Sequence, residues 1–151
     1  EGITAELAAR RATEYDRQML TRIMQAMREA HTGGSFDAEL ETDVELHNAI
    51  GEAAHNIVLL HTLRACYRLL AQGIFFHRHL VFSSEDARGH LLAQHEAIYA
   101  AIMAGDGAAA RKAAQAHMDY IATAIREAER SGEWQRISQM RMQKRGLPPQ
   151  A

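Results

Sequence analysis

Apolar residues recur three, four and seven positions apart through most of this chain, and strand-like alternation is nearly absent. A chain patterned this way buries one stripe of each helix against its neighbours, which points to an all-α antiparallel bundle of six to seven helices. Three of the stripes are interrupted by polar residues. Leu40, Asp43, His47, Ile50 and Ala54 share one face; Leu91, Leu92, His95, Ile98 and Ile102 share a second; Ala110, Ala113, His117, Ile121 and Ala124 share a third. Burying a carboxylate without a partner costs several kcal/mol, so Asp43 and the three histidines need one. A single metal ion would satisfy all four.

Asp43 and His47 lie four apart, which places their Cβ atoms roughly 6 Å from each other on one helical face, a reach suited to chelation. His95 and His117 come from other helices. One carboxylate with three imidazoles is a nitrogen-rich set that suits Zn, Ni or another first-row divalent ion, and it leaves coordination positions open for water or a ligand carboxylate. Any one of these histidines alone is better explained as a hydrogen-bonded core or surface residue. Four ligand types in three apolar stripes weigh against that reading. Other histidines fall elsewhere: His90 is five residues from His95 and points to the opposite side, His77 and His79 read as surface residues, and His55 and His61 read as capping or packing residues. Leu20, Met24 and Met27 are expected in the core, and Trp134 is expected to dock the last helix.

With 151 residues, 47% of them hydrophobic, the chain suits one compact domain. The net charge is -2 and the basic residues are scattered, so no nucleic-acid surface is expected on this chain itself. Its one cysteine, Cys66, excludes an internal disulfide, reads as a buried structural thiol and fits a reducing cytoplasm. No apolar run approaches the ~20 residues of a membrane span, and no secretory signal is present. The chain opens at Glu1 in what looks like the middle of a helix and reads as a fragment of something longer.

Helix boundaries follow from capping residues and breakers. A first helix ends near Arg11; Thr13 with Asp16 forms a capping arrangement for a second, to about Ala30. Gly33-Gly34 breaks the chain, Asp37 can cap a third helix through Ala54, and His55-Asn56 is a joint before a long apolar segment from Ile57 to about Phe82. Ser83 or Ser84 starts a fifth helix that stops at Gly105, and Asp106 caps a sixth to about Arg130. A last piece runs from about Trp134 to Lys144. The helical domain is thus expected over 1–145, with a tail over 146–151.

The run Asp43-Val44-Glu45-Leu46-His47-Asn48-Ala49-Ile50, followed by Ala54-His55-Asn56 and Leu59-Leu60, resembles the "D-x-x-x-H-x-x-I … A-x-H-N" signature of the effector-binding domain in the FadR subfamily of GntR-type transcription regulators. His95-Glu96-Ala97-Ile98-Tyr99-Ala100-Ala101-Ile102, then Ala104-Gly105-Asp106 and Ala113 through His117, resemble its second half. The stretch from Glu1-Gly2 to Ala12-Thr13 resembles its opening helix. The likeness spans about residues 1 to 130, and the stretch from Ala53 to His61 is similar to the pyruvate-dehydrogenase-complex and lactate-utilisation regulators.

The resemblance implies a helical bundle that binds a small carboxylate beside a divalent metal, with Asp43, His47, His95 and His117 as the ligands. It also implies a homodimer that reaches operator DNA through an N-terminal winged helix absent from this chain. The effector would be a 2-hydroxy or 2-oxo acid such as lactate, pyruvate or glycolate, with Arg64 as a further carboxylate partner or else a surface arginine. Two other functions compete: a metal-dependent hydrolase-like enzyme, and a purely structural dimerisation module. The enzyme needs a general base, and Glu45 and Glu96, the nearest candidates, each diverge from the ligand stripe by about 100° or more on their helices. The structural module needs four ligand positions to coincide by chance.

Overall fold

A computed structural model describes residues 1–68, 85–130 and 133–144, and every element among them is a helix. In chain order these are α1 (Gly2–Arg11), α2 (Glu14–Thr32), α3 (Phe36–Ala53), α4 (57–68), α5 (Glu85–Met103), α6 (Gly107–Arg130) and α7 (Glu133–Lys144). The expected all-α bundle is what the chain forms. The expected continuation of α4 to Phe82, the start signals at Ser83 and Ser84, His77, His79, the Trp134 side chain and the tail all lie outside the described residues.

The connections are short, and each combines a stop with a start. At Gly34 (φ 67°) and Gly105 (φ 70°) the backbone enters the left-handed region. The Ser35 and Asp106 amides then reach back to the carbonyls of Ala30 and Ala101, and the Gly34 and Gly105 amides to those of His31 and Ile102. These paired bonds satisfy carbonyls that the helix ends would orphan. The next residue opens the following helix: Ser35 Oγ accepts from the Ala38 amide at 3.4 Å, and Asp106 Oδ1 from the Ala109 amide at 2.9 Å. The cap of α3 is therefore Ser35 and not Asp37, which sits inside the first turn. Thr13 and Asp16 form the reciprocal capping box expected for α2, and α2 runs two residues past the expected end.

The third turn uses no glycine. His55 takes φ 45° between α3 and α4, its ring bonded to Asp16 at 2.8 Å, while Asn56 Oδ1 accepts from the Val58 and Leu59 amides. A non-glycine residue in this region costs energy, and the Asp16 contact offsets part of that cost.

Turns this tight make α2 with α3, and α5 with α6, antiparallel hairpins, and these two pairs together with α1 against α6 form the closest packing in the bundle. Small residues allow α1 to enter. Thr4, Ala5, Ala8 and Ala9 are buried on its inner face, and a Cβ added at Gly107 of α6 would meet Arg10 Nε at 2.8 Å and the Glu6 carbonyl at 3.2 Å. From there α1 also touches α3 and α5. Leu20, Met24 and Met27 of α2 join Leu46, Ile50, Ile98 and Ile102 in one core cluster, as their spacing requires.

Cys66 is exposed rather than buried. Its neighbour Tyr67 turns inward to Glu1, and one step along a helix rotates the thiol about 100° away.

The Gly105 turn carries a stability test. Gly105→Ala places a Cβ in the left-handed region and should destabilise the chain by about 1 kcal/mol, lowering Tm by roughly 2–4 °C. An unchanged Tm would show that this turn relaxes at no cost.

Candidate metal centre

The three interrupted stripes meet inside the bundle. His47 of α3, His95 of α5 and His117 of α6 are all buried, and each offers a ring nitrogen within 4.8 Å of the others. His47 Nε2 lies 3.3 Å from His95 Nε2, and Asp43 Oδ1 lies 3.3 Å from His95 Nε2 and 3.8 Å from His47 Nε2. Asp43 is buried as well. A first-row ion bonded at about 2.0–2.1 Å holds tetrahedral ligand atoms roughly 3.3–3.4 Å apart. The spacing in this protein is close to that value, and three buried histidines of this kind could hold a metal ion.

The outer nitrogens of two rings are tied. His47 Nδ1 lies 3.3 Å from Glu1 Oε2, and His117 Nδ1 lies 2.9 Å from Gln94 Oε1. A carboxylate or amide oxygen accepts, so Nδ1 donates and Nε2 keeps its lone pair for the interior. Glu1 is held in turn by the Tyr67 hydroxyl of α4, which donates to Oε1 at 2.5 Å. Five helices thus converge on one cluster.

Burial sets the charge state of the cluster. His117 is lowered from 6.5 to about 3, chiefly by desolvation and then by the neighbouring His95 and His47, with Asp43 and Glu1 opposing. A neutral imidazole is the form that ligates. Burial alone would raise the Glu1 carboxyl, but attraction to His47 and hydrogen bonds from His47 and Tyr67 outweigh it and hold it at about 2.

The other residues marked by the sequence lie elsewhere. Arg64 is exposed on α4, where its guanidinium pairs with Glu52. Glu45 is exposed, and Glu96 pairs with Arg28 near the surface, so neither stands at the cluster as a base. His90 is exposed against the Tyr120 ring, and His61 is exposed on α4. Sequence reasoning missed Glu1, Tyr67 and Gln94. Gln94 adjoins a ligand histidine, but nothing local marks the other two, whose partners are more than forty residues away.

Residues 1–120 match the family described as the FCD domain, and the chain belongs to that family. It is 36% identical over 126 residues to the "Putative L-lactate dehydrogenase operon regulatory protein" of Escherichia coli (strain K12), covering 83% of this chain and 47% of that protein. Likewise, it is 35% identical over 122 residues to the "HTH-type transcriptional regulator LutR" of Bacillus subtilis (strain 168), with coverage of 78% and 53%. The "Glc operon transcriptional activator" of Escherichia coli (strain K12) is 27% identical over 135 residues, with coverage of 87% and 53%. The chain spans about half the length of these curated relatives. All three are named as regulators. No helix among the described residues is long and apolar enough to cross a membrane.

The lowered values fix a pH dependence for the metal-free chain. His117 titrates near 3 when folded and near 6.5 when unfolded, so between these values the unfolded state binds more protons. Its contribution is complete above pH 6.5 and is lost progressively as pH falls toward 3; Glu1 acts in the same direction from 4.5 down to about 2. Denaturant midpoints of metal-free protein should therefore fall between pH 6.5 and 4, and less steeply in His117→Ala. An identical slope in that variant would contradict this account.

Proposed function

We propose that this chain is the effector-sensing domain of a transcriptional regulator, and that it binds a divalent metal and a small carboxylic acid. The observation that carries the proposal is the convergence of Asp43, His47, His95 and His117 at ligand spacing in the core. Zinc suits this donor set best, with nickel or another first-row ion compatible. Four protein ligands complete a tetrahedral shell, which zinc can expand to five-coordinate, so water or a carboxylate can add to it. When bound, the ion supplies a Lewis-acidic anchor for an anion. Around it, Glu1 and Gln94 orient His47 and His117, and the apolar walls of α3, α5 and α6 exclude bulk water.

The names of the relatives point toward lactate utilisation and the glc operon, and the effector proposed for this chain is a 2-hydroxy or 2-oxo acid such as lactate, pyruvate or glycolate. An effector regulates only through a difference in affinity between two arrangements. The ligands come from three helices, so an ion with its acid favours the arrangement that holds α3, α5 and α6 together. The remainder of the proposal is a cytoplasmic homodimer that reaches operator DNA through a winged-helix domain N-terminal to this bundle. Arg64 could join the effector only by exchanging Glu52 for its carboxylate.

Elemental analysis with native mass spectrometry should find one divalent ion per chain, with occupancy lowered in His95→Ala and in His117→Ala. Unchanged stoichiometry in both variants rules the centre out. Saturating a metal-loaded sample with an acid at about a hundred times its Kd should add about 2.7 kcal/mol, or roughly 5–10 °C in Tm. A chelator should remove most of that shift. A shift that survives the chelator would overturn the anchoring role of the metal.

A further inference from the structure

Helix α4 joins this bundle through a shallow apolar contact and a buried polar chain. No residue of α4 over 57–68 is fully buried, whereas α1, α2, α3, α5 and α6 each bury several. Ile57 and Val58, at its start, are 64% and 70% exposed. Two of its leucines lie over a glycine: a Cβ added at Gly51 of α3 would meet Leu60 Cδ1 at 3.4 Å and Leu63 Cδ1 at 3.6 Å. The Arg64–Glu52 pair is solvent-exposed on both sides, and pairs of that kind contribute little. An element with so few buried contacts opens locally well before the whole domain unfolds.

The polar chain is of another kind. Glu1 is 10% exposed and uses both carboxylate oxygens, Oε1 accepting from the Tyr67 hydroxyl of α4 and Oε2 facing His47 Nδ1 of α3 at 3.3 Å. The Tyr67 and His47 rings stand with centroids 5.9 Å apart. Hydrogen bonds to a carboxylate are roughly twice as strong as neutral ones, and this carboxylate is shielded from water. His47 is the shared member, since its Nδ1 faces Glu1 while its Nε2 faces His95. With Nε2 coordinated, electron density leaves the ring and Nδ1–H becomes a stronger donor to Glu1, the group that Tyr67 holds.

We infer that Tyr67 couples α4 to the metal centre: occupancy of the histidine site tightens the docking of α4, and docking of α4 tightens the metal, through Glu1 and His47. The inference rests on the proposed metal centre and names a regulation of it. Such coupling is reciprocal, so one factor describes both effects. Tyr67 is a positioning residue, acting through Glu1 rather than on the ligand nitrogens. The docking of α4 thereby follows the state of a centre whose ligands all lie on other helices.

The test is amide hydrogen exchange over residues 57–68, with and without saturating zinc, in wild type and in Tyr67→Phe, which keeps the ring and deletes the hydroxyl. Zinc content is measured by native mass spectrometry on the same samples, and amides of α2, which supplies no ligand, are the control for global stabilisation. In wild type, zinc should slow exchange in α4 relative to α2 by at least about fivefold. In Tyr67→Phe that factor should shrink below about twofold, and zinc affinity against a competing chelator should fall by the factor lost. A tyrosine with a structural role alone would speed exchange in α4 equally with and without zinc, and that equal change would overturn the inference. So would zinc that binds wild type at full stoichiometry without slowing α4, whether or not the variant folds. Either outcome leaves the metal centre standing. Absence of zinc from the wild type would remove the metal centre and this coupling with it.

Discussion

Everything in this bundle is arranged around the cost of keeping one carboxylate and three imidazoles away from water. Asp43, His47, His95 and His117 occupy positions where hydrocarbon would otherwise fill the core. Desolvation holds His117 neutral, and neutral rings can crowd together, with centroids of His95 and His117 at 4.5 Å and His47 at 5.3 Å from each. Charged imidazoles at such separations would repel strongly. The same burial that makes these residues a poor core makes them good ligands.

Positioning falls to contacts from outside the cluster. Glu1 and Gln94 take the outer nitrogens of His47 and His117, and Tyr67 holds Glu1. Such outer partners set the ring tautomer and orientation. They arrive from α1, α4 and α5, which requires close helix approach. The alanine face of α1 and Gly107 of α6 allow it, since a Cβ at Gly107 would collide with α1.

Glu39 extends the logic along α3. Glu39, Asp43 and His47 descend one face at four-residue intervals, so one helix reaches both the histidine cluster and an adjoining cavity. Arg88 and His95 do the same from α5, seven residues apart.

The stripes containing Asp43, His47, His95 and His117 were legible because helical periodicity is a local property, and so were the turns at Gly34 and Gly105 and the capping box at Thr13. Where local reading failed, two signals of similar strength competed: Ser35 and Asp37 both cap well, and Cys66 in an apolar run gives no sign of which way its helix faces. The sequence by itself determined the helical period, the breaks between helices and the ligand types on each inner face. Only the tertiary structure decided that Glu1 meets His47, that Gln94 serves His117, that Arg64 turns to Glu52, and that Glu39, His31 and Arg88 surround one cavity. Those pairings join residues distant along the chain, and their geometry follows from helix packing, which no local pattern encodes.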